Sequence, residues 1–442
     1  MFYLYRPAIF DGDEDDNDRI TGGREWDRER WWYKLARVCQ RWRTLILGSA
    51  SYLSLYLVCT LGTPVAEMLA HSPPLPLIVD FNAERDITTE DEEGIILALG
   101  HRDRDRVSRL RLQIPFPNLQ RLIMAMDEEY PALEYLILGS WMDVEGATLI
   151  LSGTLQAPHL RHLALRGFAL SLGSRLLTTA VGLVTLALVV SHPSIYLQPD
   201  FLLQWLSFMP QLETLLITFS FPVPNRDVER QLMQMPAMTH VTLPNLRWFV
   251  FQGVNAYLEA VVHRITTPRL EKLDIHFFFQ LTFSVPCLLQ FMSTAENLSF
   301  DSAEFNFGFS GEQVTVGAFP REEAKTHALS ISVLCWHLDW QVSSVAQISN
   351  ALGQIYSAVE HLTLAHWIHG RSSEEHNEVD RAEWGLLLRP FTSVKSLHVD
   401  EGVIKELSRG LRLNDGELPL DLLPKLQELT YSDGDTGDDF NS

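Results

Sequence analysis

Cysteine is scarce in this sequence. Four residues, Cys39, Cys59, Cys287 and Cys335, are spread over 442 positions, and no two stand in a C-x-x-C pair. That spacing is what zinc sites and dithiol redox sites need, so neither organises the chain, and reduced thiols suit a cytoplasmic or nuclear protein. Basic charge is short as well: 35 Lys and Arg face 56 Asp and Glu, a net of −21. Nucleic-acid binding draws affinity from clustered cations on phosphates, so no nucleic-acid partner is expected, while basic protein partners stay open. Long hydrophobic runs are missing. The most apolar stretch, Leu176–Val190, spans 15 residues and is interrupted by Thr178, Thr179, Gly182 and Thr185. A membrane span needs about 20 apolar residues, so no membrane partner is expected either. The opening Met1–Phe10 carries Arg6 and Pro7 and runs into an acidic stretch, unlike a secretory signal.

Catalytic signatures are also missing. The sequence holds no glycine-rich phosphate loop, no G-x-S-x-G elbow and no H-E-x-x-H, so no catalytic, cofactor-binding or metal-ligating residue is assigned, no cofactor is implied, and the chain is expected not to be an enzyme. Three partial matches are set aside. Asp11, Asp13 and Asp15 open like a calcium loop, but Asp16 stands where glycine is required and Gly22 where the bidentate Glu belongs. Asp435-Thr436-Gly437 spells the aspartic-protease triplet without a second copy to share its proton. His361, His366, His369 and His376 are close in sequence without a zinc spacing.

What the chain has in quantity is leucine in a repeated grammar, P-x-L-x-x-L-x-L. Pro131–Leu138 and Pro158–Leu165 state it most clearly, and it returns at Leu183, Pro210, Pro244, Pro268, Val359, Val394 and Pro424, with weaker copies at Val107, Ala295 and Ala328. Twelve copies recur at about 29 residues, the upper edge of the leucine-rich repeat range. Apolar side chains two apart share one face of an extended segment, so each copy predicts a short strand, and stacked copies predict one parallel sheet. The proline removes a backbone donor and marks the turn into the strand. Phe201, Leu202, Trp205, Leu206 and Met209 predict a helix between strands, Thr89 with Glu92 a capping box ahead of Ile95, and Leu75–Phe81 an earlier strand. Phe305, Phe307 and Phe309 alternate before Ser310-Gly311 and Val314, the pattern of a hairpin or an extended repeat. The fold class expected is α/β: a leucine-rich-repeat-like solenoid over 61–432, a small helical head over 1–60 with an acidic insert, and an acidic disordered tail over 433–442.

The head carries a second pattern. Leu35, Val38, Cys39, Trp42, Leu45 and Ile46 fall at three- and four-residue steps along one helical face, with Arg37, Arg41 and Arg43 off it. The segment L-x-x-V-C-x-x-W-R-x-L-I resembles the second half of an F-box. Val58–Val65 and the later His71–Leu77 look like the large fungal group of F-box proteins with leucine-rich repeats. The resemblance implies a substrate-recognition subunit of an SCF-type ubiquitin ligase: those six residues would dock the Skp adaptor, joined to the cullin scaffold, and the repeats would hold a protein substrate of unknown identity. An F-box opens with a leucine-proline helix, and here Phe2–Tyr5 is all that stands in its place, so either the reading frame begins upstream or adaptor binding is weakened or lost. The alternative is therefore a repeat scaffold without ligase coupling.

Residues alternating with the repeat leucines face the side of the sheet away from the helices. Early copies place Ala164, Ala187, Val189 and Leu216 there. Later copies place Trp248, Gln252, Lys272, Asp274, His276, His361, Thr363, His398 and Asp400, a polar face around one exposed aromatic. Trp is enriched at the energetic centres of interfaces, so Trp248, Gln252, Lys272, Asp274, His276, His361 and His398 are the candidate substrate-binding residues.

Overall fold

The protein is described here from a computed structural model. The structure describes residues 31–50, 53–83, 87–124, 126–140, 148–170, 173–221, 240–280, 282–295, 297–308, 313–320, 327–335, 337–367, 381–411 and 422–432. The acidic insert at 11–18, Phe2–Tyr5, the tail at 433–442, the aspartate-threonine-glycine triplet, His369 and His376 lie outside the described residues. The chain divides into two compact units, 1–183 and 184–442, a division that falls inside the repeat array.

Among the described residues, the first unit begins with helices α1 (Trp31–Ala36) and α2 (Gln40–Gly48). The single helical face expected over residues 35–46 is corrected here. The helix breaks at 37–39, and Cys39 takes an extended conformation (φ −162°, ψ 167°) at the start of α2. Restarting the helix there turns the second segment about a new axis, and the apolar positions part company. Ile46 is fully buried and Leu35 and Trp42 are half-buried, whereas Val38 is 62% exposed, Leu45 50%, and Cys39 is exposed. Two hydrogen bonds tie α1 to the sheet behind it: Trp32 Nε1 donates to the Tyr56 carbonyl at 3.2 Å, and the Val58 N–H donates to the Tyr33 hydroxyl at 3.2 Å.

Five strands of the main sheet follow among the described residues: β1 (Leu57–Thr60), β2 (Leu77–Asn82), β3 (Val107–Gln113), β4 (Tyr135–Gly139) and β5 (His162–Arg166). Each pairs in parallel with the next. Between and after them run α3 (Val65–His71), α4 (Thr89–Leu99), α5 (Phe116–Met124) and α6 (Arg175–Thr179). The repeat leucines point into the layer between sheet and helices: Leu110, Leu112, Leu136, Leu138, Leu163 and Leu165 are at most 3% exposed. Removing a leucine so placed costs about 2–5 kcal/mol, so the periodic pattern in the sequence is also the main source of stability.

The cap of α4 is shifted by one residue from expectation. Thr88, not Thr89, accepts the Asp91 N–H at 3.1 Å, and Asp91 Oδ1 in turn accepts the Gly62 N–H at 2.8 Å. Gly62 sits at φ +70°, a backbone conformation that suits glycine in the turn after β1. Glu92 is engaged elsewhere, by Asn118 Nδ2 at 3.1 Å and Arg121 Nη2 at 2.9 Å, so it bridges α4 to α5 instead of closing its own helix.

The main sheet of the second unit has ten strands among the described residues. They are β6 (Thr185–Val190), β7 (Thr214–Phe219), β8 (Trp248–Gly253), β9 (Lys272–Phe278), β10 (Ser302–Gly308), β11 (Gln313–Phe319), β12 (Leu329–Leu334), β13 (His361–Trp367), β14 (Ser396–Asp400) and β15 (Glu428–Ser432). The helices beside them are α7 (Pro199–Leu206), α8 (Asn255–Val262), α9 (Pro286–Ser293), α10 (Leu338–Ala351), α11 (Gly353–Tyr356), α12 (Arg381–Leu388) and α13 (Glu401–Gly410). Every one of the twelve sequence copies leads into a strand. The spatial order is not the chain order, however: it runs β6-β7-β8-β9-β12-β11-β10-β13-β14-β15. The hairpin anticipated around Phe305 and Val314 is present as β10 and β11, antiparallel to each other, and it sits between β12 and β13. Its phenylalanines belong to the core, since Phe305 and Phe307 are fully buried, Phe305 packs edge-on against Phe391, and Phe307 packs edge-on against Trp384.

Candidate functional site

Alternation in the strands of the second unit separates two faces. On β8 and β9, Phe249, Phe251, Leu273, Ile275 and Phe277 are at most 1% exposed, and the residues between them are half-buried. Parallel register then lines the latter up across the sheet. One transverse row runs Asp274, Ser330, Gly317, Glu304, Thr363, His398, Thr430. Its neighbour runs Gln252, His276, Ser332, Thr315, Asn306, Ala365.

Trp248, Lys272 and Asp274 form one interlocked group. Trp248 and Lys272 are register partners, the Lys272 ammonium lies 4.6 Å from the indole centre, and Trp248 Nε1 donates to Asp274 Oδ2 at 2.7 Å. Lys272 Nζ also stands 3.7 Å from the same carboxylate. Trp248 is thus a half-buried ring with both its face and its N–H engaged, not the exposed aromatic expected from the sequence. His276 shares a hydrogen bond with Ser332, and burial pushes its imidazole below the ordinary value while Asp274 pulls the other way. His327, which packs on Phe319 with ring centres 4.3 Å apart, is lowered for the same reason, with Glu304 and Asp274 opposing. Both imidazoles are therefore held neutral deeper into the acid range than a free histidine.

The candidate residues named from sequence fall into two groups. Trp248, Gln252, Lys272, Asp274 and His276 are contiguous on β8 and β9. His361 and His398 lie on β13 and β14, and the three strands β12, β11 and β10 separate β9 from β13, a gap of about 19 Å at the usual strand spacing. His398 contacts Thr430 Oγ1 at 3.0 Å and Asp400 Oδ1 at 3.4 Å. Ser330, Ser332, Glu304 and His327 fill the gap and were missed, because nothing in the sequence says that the hairpin enters the sheet between those two groups.

A second feature was missed. Phe279, one residue past β9, is 37% exposed and stacks at 5.1 Å and 22° on Trp340, which is 42% exposed in the first turn of α10. His337 meets Trp340 edge-on at 4.7 Å, and Leu334, the register partner of Phe278, is also exposed.

On the helical side, Glu259 accepts the Cys287 and Leu288 N–H groups at 2.8 and 2.9 Å and so caps α9, while His263 Nδ1 lies 3.7 Å from Cys287 Sγ. Burial and the Glu259 carboxylate push the Cys287 thiol up to about 11, the opposite of what a nucleophilic cysteine needs. Among the described residues no group of three or more His, Cys, Asp or Glu could hold a metal ion, and no helix is long and apolar enough to cross a membrane.

No protein-family model matches this chain, and no curated protein matches it. Among solved structures, the leucine-rich repeat-containing protein LegL7 from Legionella pneumophila is similar at 12% identity and a TM-score of 0.29, over 86% of this chain and 91% of its own. At that distance the repeat reading rests on the chain's own strands, their register and the burial of their leucines.

Proposed function

We propose that the protein is a non-catalytic interaction module, and specifically the substrate-recognition subunit of an SCF-type ubiquitin ligase. The supporting observation is the exposed apolar surface of the head. Val38, in the turn between α1 and α2, is 62% exposed and Leu45, on α2, 50%, beside the exposed Cys39, while α1 is anchored from behind by Trp32 and Tyr33 and α2 by the buried Ile46. A helical segment with one face anchored and another apolar and open is the shape of a docking element. In this reading Val38, Cys39 and Leu45 reach the Skp adaptor, Leu35 and Trp42 flank them, and Ile46 holds the helix on its own unit. The polar rows of the second unit and the Phe279–Trp340 pair would take the protein substrate.

A repeat scaffold uncoupled from any ligase is favoured by a different observation, the loss of Ile46 to the core and the break at 37–39, which shrink the continuous apolar face. Co-purification of the full chain with the Skp adaptor and a cullin separates the two. Capture that is abolished by Val38→Glu with Leu45→Glu supports the ligase reading. No adaptor binding by the full chain at about micromolar concentration, where specific docking is readily seen, leaves the scaffold.

A further inference from the structure

In a chain of net charge −21, the face of the first unit opposite its helices gathers three arginines. Arg109 and Arg111 alternate along β3, and Arg166 ends β5. Arg111 is only 2% exposed. A guanidinium keeps its charge at any working pH, so burial obliges it to find acceptors. It finds too few: Nε donates to Gln113 Oε1 at 2.8 Å, while Asp80 Oδ1 stays 3.9 Å from that nitrogen, beyond hydrogen-bond reach. Arg111 Nη1 is buried with no hydrogen-bond partner, and so is Arg166 Nε.

The two orphaned donors lean toward one place. Arg111 reaches along its own strand to Gln113, whose register partner is Gly139. Arg166 lies back across Gly139, where an added Cβ would stand 3.0 Å from the Arg166 Cβ and 3.8 Å from its Cδ. Glycine at 139 therefore leaves the room through which Arg166 approaches β3. Strands β3 and β5 are about 10 Å apart, within the combined span of two converging arginine side chains. Arg109 lies over the Tyr56 ring, its guanidinium carbon 5.5 Å from the ring centre, which leaves Arg111 and Arg166 as the pair with buried, unpartnered donors.

We propose that Arg111 and Arg166 form a binding site for a carboxylate of an acidic peptide segment, entered from the side of the exposed Asn82. Paired forks of this kind match the two oxygens of a carboxylate. A phosphate dianion fits less well, because Asp80 beside Arg111 repels the second charge. The carboxylate has two sources of the same chemistry, the chain's own Asp11–Asp18 stretch or an acidic segment of another protein. The site is independent of the ligase reading and of the polar rows in the second unit.

The test is the fluorescence anisotropy of a labelled hexaglutamate peptide with the full chain and with a full-length variant carrying Asn at Asp11, Asp13, Asp15, Asp16 and Asp18. The peptide binds one or both, and Arg166→Gln or Arg166→Lys weakens it by about tenfold or more, the lysine variant guarding against a folding defect, because a point charge does not replace the fork. Tighter binding to the neutralised variant identifies the chain's own stretch as the competitor, and equal binding assigns the site to another protein; both support the site. Failure of the peptide to bind either protein, unchanged binding to both Arg166 variants, or tighter binding of a phosphoserine peptide would each overturn the assignment.

Discussion

Trp248 and Asp274, neighbours across two strands, are joined by a hydrogen bond from indole Nε1 to carboxylate Oδ2 at 2.7 Å, while Lys272 covers the same ring at 4.6 Å. The tryptophan is held from two directions before any partner arrives. A ring fixed in advance loses little freedom on binding, which favours it as an anchor; its engaged edges leave it less to offer.

That tension sets the first expectation. Trp248→Ala and Trp340→Ala are each expected to leave the fold intact, and at least one to weaken substrate capture by about 2 kcal/mol or more. Pull-down with each variant locates the centre of the surface. Loss with Trp340→Ala alone places it at the Phe279–Trp340 pair, and retention of all partners by both variants removes the substrate site from this region.

Leu163 and Leu273 are 1% and 0% exposed, each within the layer between a sheet and its helices. Truncation to Ala is expected to cost about 2–5 kcal/mol at each site, read from urea unfolding midpoints of the purified variants. A loss below about 0.5 kcal/mol at both would contradict the burial, since surface changes fall in that range.

Burial holds His276 below its ordinary value, so the unfolded chain takes up that proton first as pH falls. The contribution to stability is then complete above the ordinary imidazole value and is lost as pH drops toward the lowered one. Wild type is expected to lose stability as pH falls through and below the ordinary imidazole value, and His276→Gln to lose less over the same interval. Equal losses in the two proteins would remove His276 from the effect.

Thiol chemistry offers a further check. Cys39 is exposed, Cys59 and Cys335 are buried, and the Cys287 thiol is pushed up to about 11. With a disulfide reagent at about pH 8, one fast-reacting thiol is expected, and Cys39→Ser should abolish it, because the thiolate is the reactive form and access controls the rest. A fast phase that survives Cys39→Ser would show that Cys287 is open after all.

Much of this architecture was legible in the leucines. The L-x-L spacing gave every strand that begins a copy, and alternation told Leu163 from Ala164 and Leu273 from Asp274, because a pleated strand with one buried face leaves no other register. Phe305 and Val314 marked their hairpin. Adjacency was not legible. Nothing local in Lys272–Phe278 says that its next neighbour is Leu329–Leu334, and Ser330 and Glu304 could not be placed beside Asp274 without that fact. The break at 37–39 was equally hidden, because Arg37, Val38 and Cys39 continue the helical spacing through the point where the backbone leaves it.

The inserted hairpin also sets an order of events for a chain leaving the ribosome. Strands β6 to β9 can add to their sheet one after another, each closing a loop of a few tens of residues. The partner of β9 is then about fifty residues away, and the intervening β10 has no neighbour until β11 has folded back on it. Loop-closure entropy grows only slowly with length, so the cost in equilibrium stability is small, but the growing sheet must wait with β9 as a bare edge. An unpaired edge is where strands from other chains add. During synthesis, the stretch between emergence of Phe278 and emergence of Leu334 is the interval in which this protein most needs shielding from its own copies.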